Sequence, residues 1–304
     1  MALGYDGKLY ILAFDHRGSF QKMFGVTGVP TPEETETISD AKRVIFEGML
    51  EAVSQGAEAG ATGVLVDEQF GSNIPERAEE HHLKLAMPVE KSGQEEFDFQ
   101  YGDDFPAHIE KFNPDFSKVL VRYNPDGDAA SNQEQAARLK RLADWLHDHD
   151  RKFLFELLVP ATDEQLASVG GESDRYDTEL RPELMRRAIE DLQNAGVEVD
   201  IWKIEGVDER SDAAMLAEQA RNGEGREGVT CVLLGRGAST EKVEQWLQVA
   251  APVDGFIGFA IGRSIWADAL KGLIAGDLDR AAAVKQIAEN YLHFVHVYEQ
   301  QAVH

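Results

Sequence analysis

Short apolar runs recur along the chain, each about strand length and each ending in polar or glycine-rich sequence. The first four are KLYILAFDH (8–16), TGVLVDEQF (62–70), LKLAMPVE (83–90) and KVLVRYNP (118–125). KFLFELLVP (152–160), VDIWKIEG (199–206), TCVLLGRG (230–237) and DGFIGFAIGRS (254–264) follow. These runs are continuous rather than alternating, which marks strands covered on both faces, as in a parallel sheet. Between most of them lie amphipathic segments with apolar residues at helical spacing, such as SDAAMLAEQA and RPELMRRAIEDLQNAG. In the second, Pro182 suits a first helical turn and Gly196 a stop. Segment 39–60 places Val44, Ile45, Gly48, Met49, Ala52 and Val53 on one face, and a last helix is expected from Asp279 to Glu299.

Strands alternating with helices, with no composition break or linker, predict one α/β domain over 1–304. The expected fold is a (β/α)8 TIM barrel with its active site at the C-terminal strand ends. A doubly wound open sheet is the competing arrangement. The weak point is the third crossover. There QEEFDFQYGDDFPAHIEKFNPDFS offers only a short helical candidate and a long front loop able to act as a lid.

Those strand ends carry Asp15, His16 and Arg17; Asp67 and Glu68; Arg122; Glu156; Lys203 and Glu205; Arg236; and Arg263. Polar strand ends are common, so the informative ones are those followed by more apolar residues. Lys203, in IWKIE, and Glu156, in FLFELLVP, meet that test. Alternation puts Ile201, Lys203 and Glu205 on one face and bulky Trp202 and Ile204 on the other, which turns Lys203 into the barrel. A poorly hydrated lysine favours its neutral amine, the form needed for a Schiff-base nucleophile. Pairing with Glu205 or Glu156 explains the same placement, and the strand alone leaves both readings open.

Two further stretches bear on that choice. LLGRGAST ends strand seven and AIGRSIW ends strand eight, each with glycine and arginine just before a helix. Glycines let backbone N–H groups approach an anion, helix N-termini favour negative charge, and arginine clamps phosphate bidentately. The loops after strands seven and eight of such barrels are also a frequent phosphate site.

Composition narrows the partners. Lys and Arg total 30 against 55 Asp and Glu, a net charge of −25, so nucleic acid and anionic membrane surfaces are excluded as partners. An anionic substrate needs local positive charge to overcome that field. A single cysteine, Cys231, reads as a buried strand residue and permits no disulfide within one chain. No export signal or membrane-length apolar run is visible, so a cytoplasmic protein is expected. No cofactor is called for, and the sequence leaves open whether the chain forms a homo-oligomer.

The stretches LYILAFDHRGSF, FELLVPAT, DIWKIEGVD, LLGRGAS and GFAIGRSIW resemble the class I aldolase-like domain of inositol catabolism. That domain is usually fused behind a sugar-acid kinase. The resemblance implies cleavage of 2-deoxy-5-keto-gluconate 6-phosphate to dihydroxyacetone phosphate and malonate semialdehyde. More distantly the chain resembles tagatose-bisphosphate and sulfofructose-phosphate aldolases. It begins almost directly at strand one, so no kinase domain is expected ahead of the barrel.

By this resemblance Lys203 is the Schiff-base lysine and Glu156 the proton-moving glutamate. Asp15 and Arg17 bind substrate hydroxyls or order the lysine. Arg263 clamps phosphate beside the backbone of Gly235, Gly237 and Gly262. Arg236 either joins that clamp or makes a structural ion pair. Asp67 and Glu68 contact the sugar chain or satisfy loop backbone; Arg122 holds an acidic substrate end or pairs with a carboxylate. A zinc aldolase would need several ligands at the mouth, where only His16 is placed; His81, His82, His147 and His149 fall at the other end. A phosphosugar isomerase or a non-catalytic sugar-phosphate sensor is the remaining alternative, although a sensor needs no desolvated amine.

Overall fold

The computed structural model describes residues 2–302. Its strands are β1 (Leu9–Ala13), β2 (Thr62–Leu65), β3 (Lys84–Pro88), β4 (Phe116–Arg122), β5 (Lys152–Leu158), β6 (Ile201–Glu205), β7 (Thr230–Leu234) and β8 (Phe256–Ile261). Each pairs in parallel with its sequence neighbour, and β8 pairs with β1, closing the expected barrel. The open doubly wound sheet is thereby ruled out.

Both faces of the strands are apolar for different reasons. Ile11, Leu65, Ala86, Phe116, Leu154, Ile201 and Val232 fill the barrel interior as one buried cluster. Their strand neighbours, among them Leu12, Val64, Val119, Phe155, Trp202, Cys231 and Leu233, belong to the layer between sheet and helices. Trp202 and Ile204 face the helices, so Lys203 faces inward, as strand alternation requires. Cys231 is fully buried, and burial pushes its thiol up to about 12, so it packs as a small apolar group.

The helix expected on 39–60 begins about two turns earlier and spans Pro32–Ser54. A capping box, with Thr31 and Glu34 satisfying each other's backbone N–H, starts it in wholly polar sequence. The last helix spans Arg280–Glu299 behind an Asp279 cap. These two helices approach closely at Gly48, where a Cβ would lie 2.5 Å from Ile287. The third crossover has a short helix, Phe105–Phe112, as its sequence suggested. The loop before it is an anchored wall rather than a free lid. Phe97 and Phe99 are buried, Glu90 bridges Phe99, and the Phe97 N–H donates to Gln135 at 2.7 Å. No helix among the described residues is long and apolar enough to cross a membrane.

One buried ion pair ties the first crossover to the mouth. Lys42, on the Pro32–Ser54 helix, is fully buried and donates to the carbonyls of Phe14 at 2.7 Å and His16 at 2.9 Å, and to the Asp67 carboxylate. Removing one member of a buried pair costs about 3–5 kcal/mol, because the other charge is left uncompensated. Lys42→Met is therefore expected to lower urea-unfolding stability by that order, and Lys42→Met with Asp67→Leu to recover most of the loss. A single variant within about 1 kcal/mol of wild type would contradict this role.

Candidate active site

The C-terminal strand ends enclose a cavity of about 450 Å³. Asp15, Arg17, Arg122, Glu156, Lys203, Gly235, Arg236, Gly237, Gly262 and Arg263 all line it, and so does His16. Glu156 is the register partner of Lys203 across β5 and β6, and the alternation that buries Leu154 below it turns both side chains inward. Lys203 Nζ stands 3.0 Å from Glu156 Oε2. Of the two carboxylates expected to compete for it, Glu205 is engaged elsewhere, by the Val159 N–H at 3.1 Å and by Arg236 at 3.1 Å.

A second lysine escaped the sequence reading. Lys118 on β4 is 1% exposed, and its ammonium meets Asp15 at 2.8 Å, Glu90 at 3.0 Å and Glu156 at 3.1 Å. Its signal was present: inward-facing Lys118 lies between Val119 and Val121, which face the helices, and the buried Phe116. It sits before the strand end rather than on it, so attention to the ends alone passed over it. Glu90 was missed because it follows β3 in the loop; Arg17 holds it at 3.2 Å, and its Oε2 is buried with no protein partner.

The two lysines differ in their company. Burial alone would lower the pKa of Lys118, but Asp15, Glu90 and Glu156 outweigh it and hold the group above the ordinary lysine value. Lys118 is thus a permanent cation, whereas Lys203 has one carboxylate partner, Glu156, among the described residues. Burial would raise the Glu156 pKa, but Lys203 and then Lys118 overcome it and hold the carboxyl below its usual range. Beside these two lysines it rests as a carboxylate. Asp15 is likewise held well below its ordinary value, Lys118 and then His16 and Lys203 outweighing the cost of burial.

Arg263 is exposed to the cavity, with no carboxylate partner among the described residues, and its guanidinium donates to the Arg236 carbonyl at 3.5 Å. Gly235, Gly237 and Gly262 stand beside it in the cavity wall. Arg236 resolves toward the structural alternative, with its guanidinium on Asp177 at 2.6 Å and Glu205 at 3.1 Å. Arg122 has no carboxylate partner among the described residues; it donates to the Gln94 carbonyl at 2.8 Å. Asp67 is a correction. It does not line the cavity but is 1% exposed beneath it, spent on Lys42 and on the Phe70 N–H at 3.0 Å. Glu68 also turns away, to His108 at 2.6 Å and Lys111 at 2.8 Å. A strand-end position identifies the barrel mouth but not which way the side chain leaves it.

His16 packs edge-on against Trp266, with Nδ1 buried and unpartnered. Burial, with Lys42, Arg263 and Lys203 adding to it and Asp15 opposing, pushes the imidazole down to about 4 from 6.5. Between those values the unfolded chain binds a proton that the folded one does not. Stability must therefore fall as pH falls through that window, by up to about 1.4 kcal/mol per pH unit. Urea unfolding between pH 7 and 4.5 is expected to show a shallower slope in His16→Gln than in wild type. Equal slopes would mean the imidazole is not held neutral.

Comparison with known proteins identifies relatives of the whole chain. Over 293 residues the chain is 25% identical to tagatose 1,6-diphosphate aldolase 2 of Streptococcus pyogenes serotype M1, covering 88% of this chain and 83% of the relative. It is 24% identical over 302 residues to tagatose 1,6-diphosphate aldolase 1 of Streptococcus pyogenes serotype M3 (strain SSI-1), covering 92% and 87%. Both relatives are named as aldolases, and aldolases are lyases. Fructose-bisphosphate aldolase from Plasmodium falciparum, solved with TRAP and a small-molecule inhibitor, shares the fold with a TM-score of 0.69 at 15% identity, covering 98% of this chain and 92% of that one. The model of one family matches residues 5–302, and the chain belongs to that family, described as "Uncharacterized protein conserved in bacteria (DUF2090)".

Proposed function

We propose that the protein is a class I aldolase that cleaves a phosphorylated ketose or keto sugar acid, with 2-deoxy-5-keto-gluconate 6-phosphate as the preferred substrate. One observation carries this reading: at the cavity floor a single carboxylate, Glu156, serves both a lysine held charged by three carboxylates and a lysine with no other carboxylate partner among the described residues. That arrangement suits an amine that must lose a proton locally and a base that must stay ionised until it receives one.

The chemistry follows from those contacts. Glu156 takes a proton from Lys203, and the free amine attacks the substrate ketone to give a carbinolamine. Glu156 returns the proton to the carbinolamine hydroxyl, which leaves as water and produces an iminium. The carboxylate then accepts the proton of the hydroxyl on the second carbon beyond the iminium carbon, and the bond joining that carbon to the carbon next to the iminium breaks. The bonding pair enters the iminium to form an enamine, and the aldehyde departs. Protonation of the enamine carbon and hydrolysis of the imine release dihydroxyacetone phosphate and regenerate Lys203. Lys118 keeps Asp15, Glu90 and Glu156 together and supplies fixed positive charge where an alkoxide develops.

The substrate ends are inferred from cations without carboxylate partners among the described residues. Arg263 follows β8 and Arg122 ends β4, and these strands are diametrically opposed in a closed barrel of this order. A substrate with phosphate at Arg263 and a second anionic group toward Arg122 satisfies both, despite the net charge of −25. Malonate semialdehyde as the departing half places a carboxylate there. The second reading is tagatose 1,6-bisphosphate, favoured by the names of the relatives, which puts phosphate at both ends; sulfofructose phosphate puts a sulfonate at one. A cytoplasmic location and a sugar phosphate as the small-molecule partner complete the proposal.

A coupled assay of dihydroxyacetone phosphate release over these three substrates is the direct test. The keto-acid phosphate is expected to give the highest kcat/KM, unaffected by excess chelator. Glu156→Gln is expected to lower kcat by about 10²–10⁴-fold, and Arg263→Ala to raise KM with a loss of about 2–4 kcal/mol in binding. Preference for tagatose bisphosphate would select the second reading. No release from any of the three would favour a binding protein, and Glu156→Gln within about threefold of wild type would remove the proton-transfer role.

A further inference from the structure

The turn that closes β7 holds an arginine where the backbone disfavours one. Arg236 has φ 52° and Gly237 φ 69°, and the Ala238 N–H donates to the Gly235 carbonyl at 2.9 Å, the pattern of a type I′ turn. Glycine or asparagine occupies the first of these left-handed positions without difficulty, whereas a long side chain is strained there. Something must hold Arg236 in this conformation, and its guanidinium identifies it: Nη1 donates to Asp177 at 2.6 Å and Nε faces Glu205 at 3.1 Å.

Those two carboxylates are joined by a second arginine. Arg181, 1% exposed, donates to Asp177 at 2.6 Å and to the Gly206 carbonyl at 2.9 Å, and stands 3.5 Å from Glu205. Asp177, Arg236, Glu205 and Arg181 therefore form a closed ring of alternating charge. The ring connects three pieces of the mouth. Glu205 lies on β6, two positions beyond Lys203 and on the same face. Asp177 lies in the π-helical turn Tyr176–Leu180, a geometry that recurs at functional sites, and Tyr176 anchors that turn to the Val159 carbonyl at 2.8 Å. The third piece is the turn itself, whose Gly235 and Gly237 line the cavity beside Arg263. A Cβ on Gly237 would lie 2.8 Å from the Arg263 guanidinium.

We propose that Arg236 is a positioning residue. The ring formed with Asp177, Glu205 and Arg181 locks residues 235–238 in the left-handed form that sets this turn's backbone and Arg263 around an anion. The ring also fixes that anion site relative to the strand carrying Lys203. This rests on the reading that the turns after β7 and β8 bind phosphate. It differs from a direct role for Arg236 in the sign of one result. If Arg236 were a phosphate ligand held back by its ion pairs, loosening the Asp177 pair would free it and tighten binding. If it is a strut, the same change weakens binding.

The test is calorimetric titration of the full chain with inorganic phosphate, with thermal unfolding run alongside. Asp177→Asn is isosteric, and Arg236→Gly keeps a residue that tolerates the left-handed backbone, so both variants are expected to unfold within a few degrees of wild type. Each is expected to weaken phosphate binding by about three- to thirtyfold, the range of coupling carried by residues outside a ligand's contacts. The double variant is expected to be no weaker than the worse single one, because both remove the same strut. Binding that tightens or is unchanged in Asp177→Asn would overturn the proposal, as would an Arg236→Gly variant that binds like wild type. Absence of phosphate binding to wild type would instead remove the anion site, and the strut with it.

Discussion

Oε2 of Glu156 stands 3.0 Å from Lys203 Nζ and 3.1 Å from Lys118 Nζ. Neither lysine touches bulk solvent to any extent, with side chains 5% and 1% exposed. Charges so buried are costly unless each finds opposite charge or hydrogen bonds. The barrel meets that demand by bringing Asp15 from the end of β1, Glu90 from the end of β3 and Glu156 from β5 around Lys118, while Arg17 steadies Glu90. Most of the mouth can be understood as support for this cluster. Lys42 holds the β1 end by its carbonyls, and the anchored loop after β3 brings Glu90 into place.

The cluster divides labour between two residues of the same type. Three carboxylates keep Lys118 charged, so in the proposed reaction it shapes the field without reacting. Lys203 shares its one carboxylate with that cation. In the proposed reaction a proton leaving Lys203 therefore moves only as far as a carboxylate oxygen 3.0 Å away. Among the described residues, the unpartnered buried side-chain atoms His16 Nδ1, Arg17 Nε, Glu90 Oε2 and Gln94 Oε1 belong to residues that line the cavity. Buried polar atoms without partners are rare in folded proteins and concentrate where function demands them.

How much of this was legible in sequence depended on the kind of signal. Alternation within IWKIE and FLFELL sets the inward face, and the structure keeps Lys203 and Glu156 as register partners on that face. Paired glycine–arginine turns likewise indicate one corner of the mouth, and their residues do line it. Lys118 passed the same flanking test but was hidden by its distance from the strand end. Asp67 failed in the opposite way. Its position was right, but its partner Lys42 lies on a helix 25 residues earlier, so no local pattern reveals that the carboxylate is already satisfied. The fate of Arg236 was undecidable for a similar reason, since Asp177 is 59 residues away in an irregular turn that no periodicity announces.

The central claim is that Lys203, and not Lys118, forms the covalent intermediate. Borohydride reduction of wild-type protein in the presence of dihydroxyacetone phosphate, followed by peptide mass mapping, tests it most directly. The account predicts loss of activity with a stable mass addition on the peptide holding Lys203, and none on the peptide holding Lys118. An adduct on Lys118, or inactivation and labelling that persist in Lys203→Ala, would contradict it.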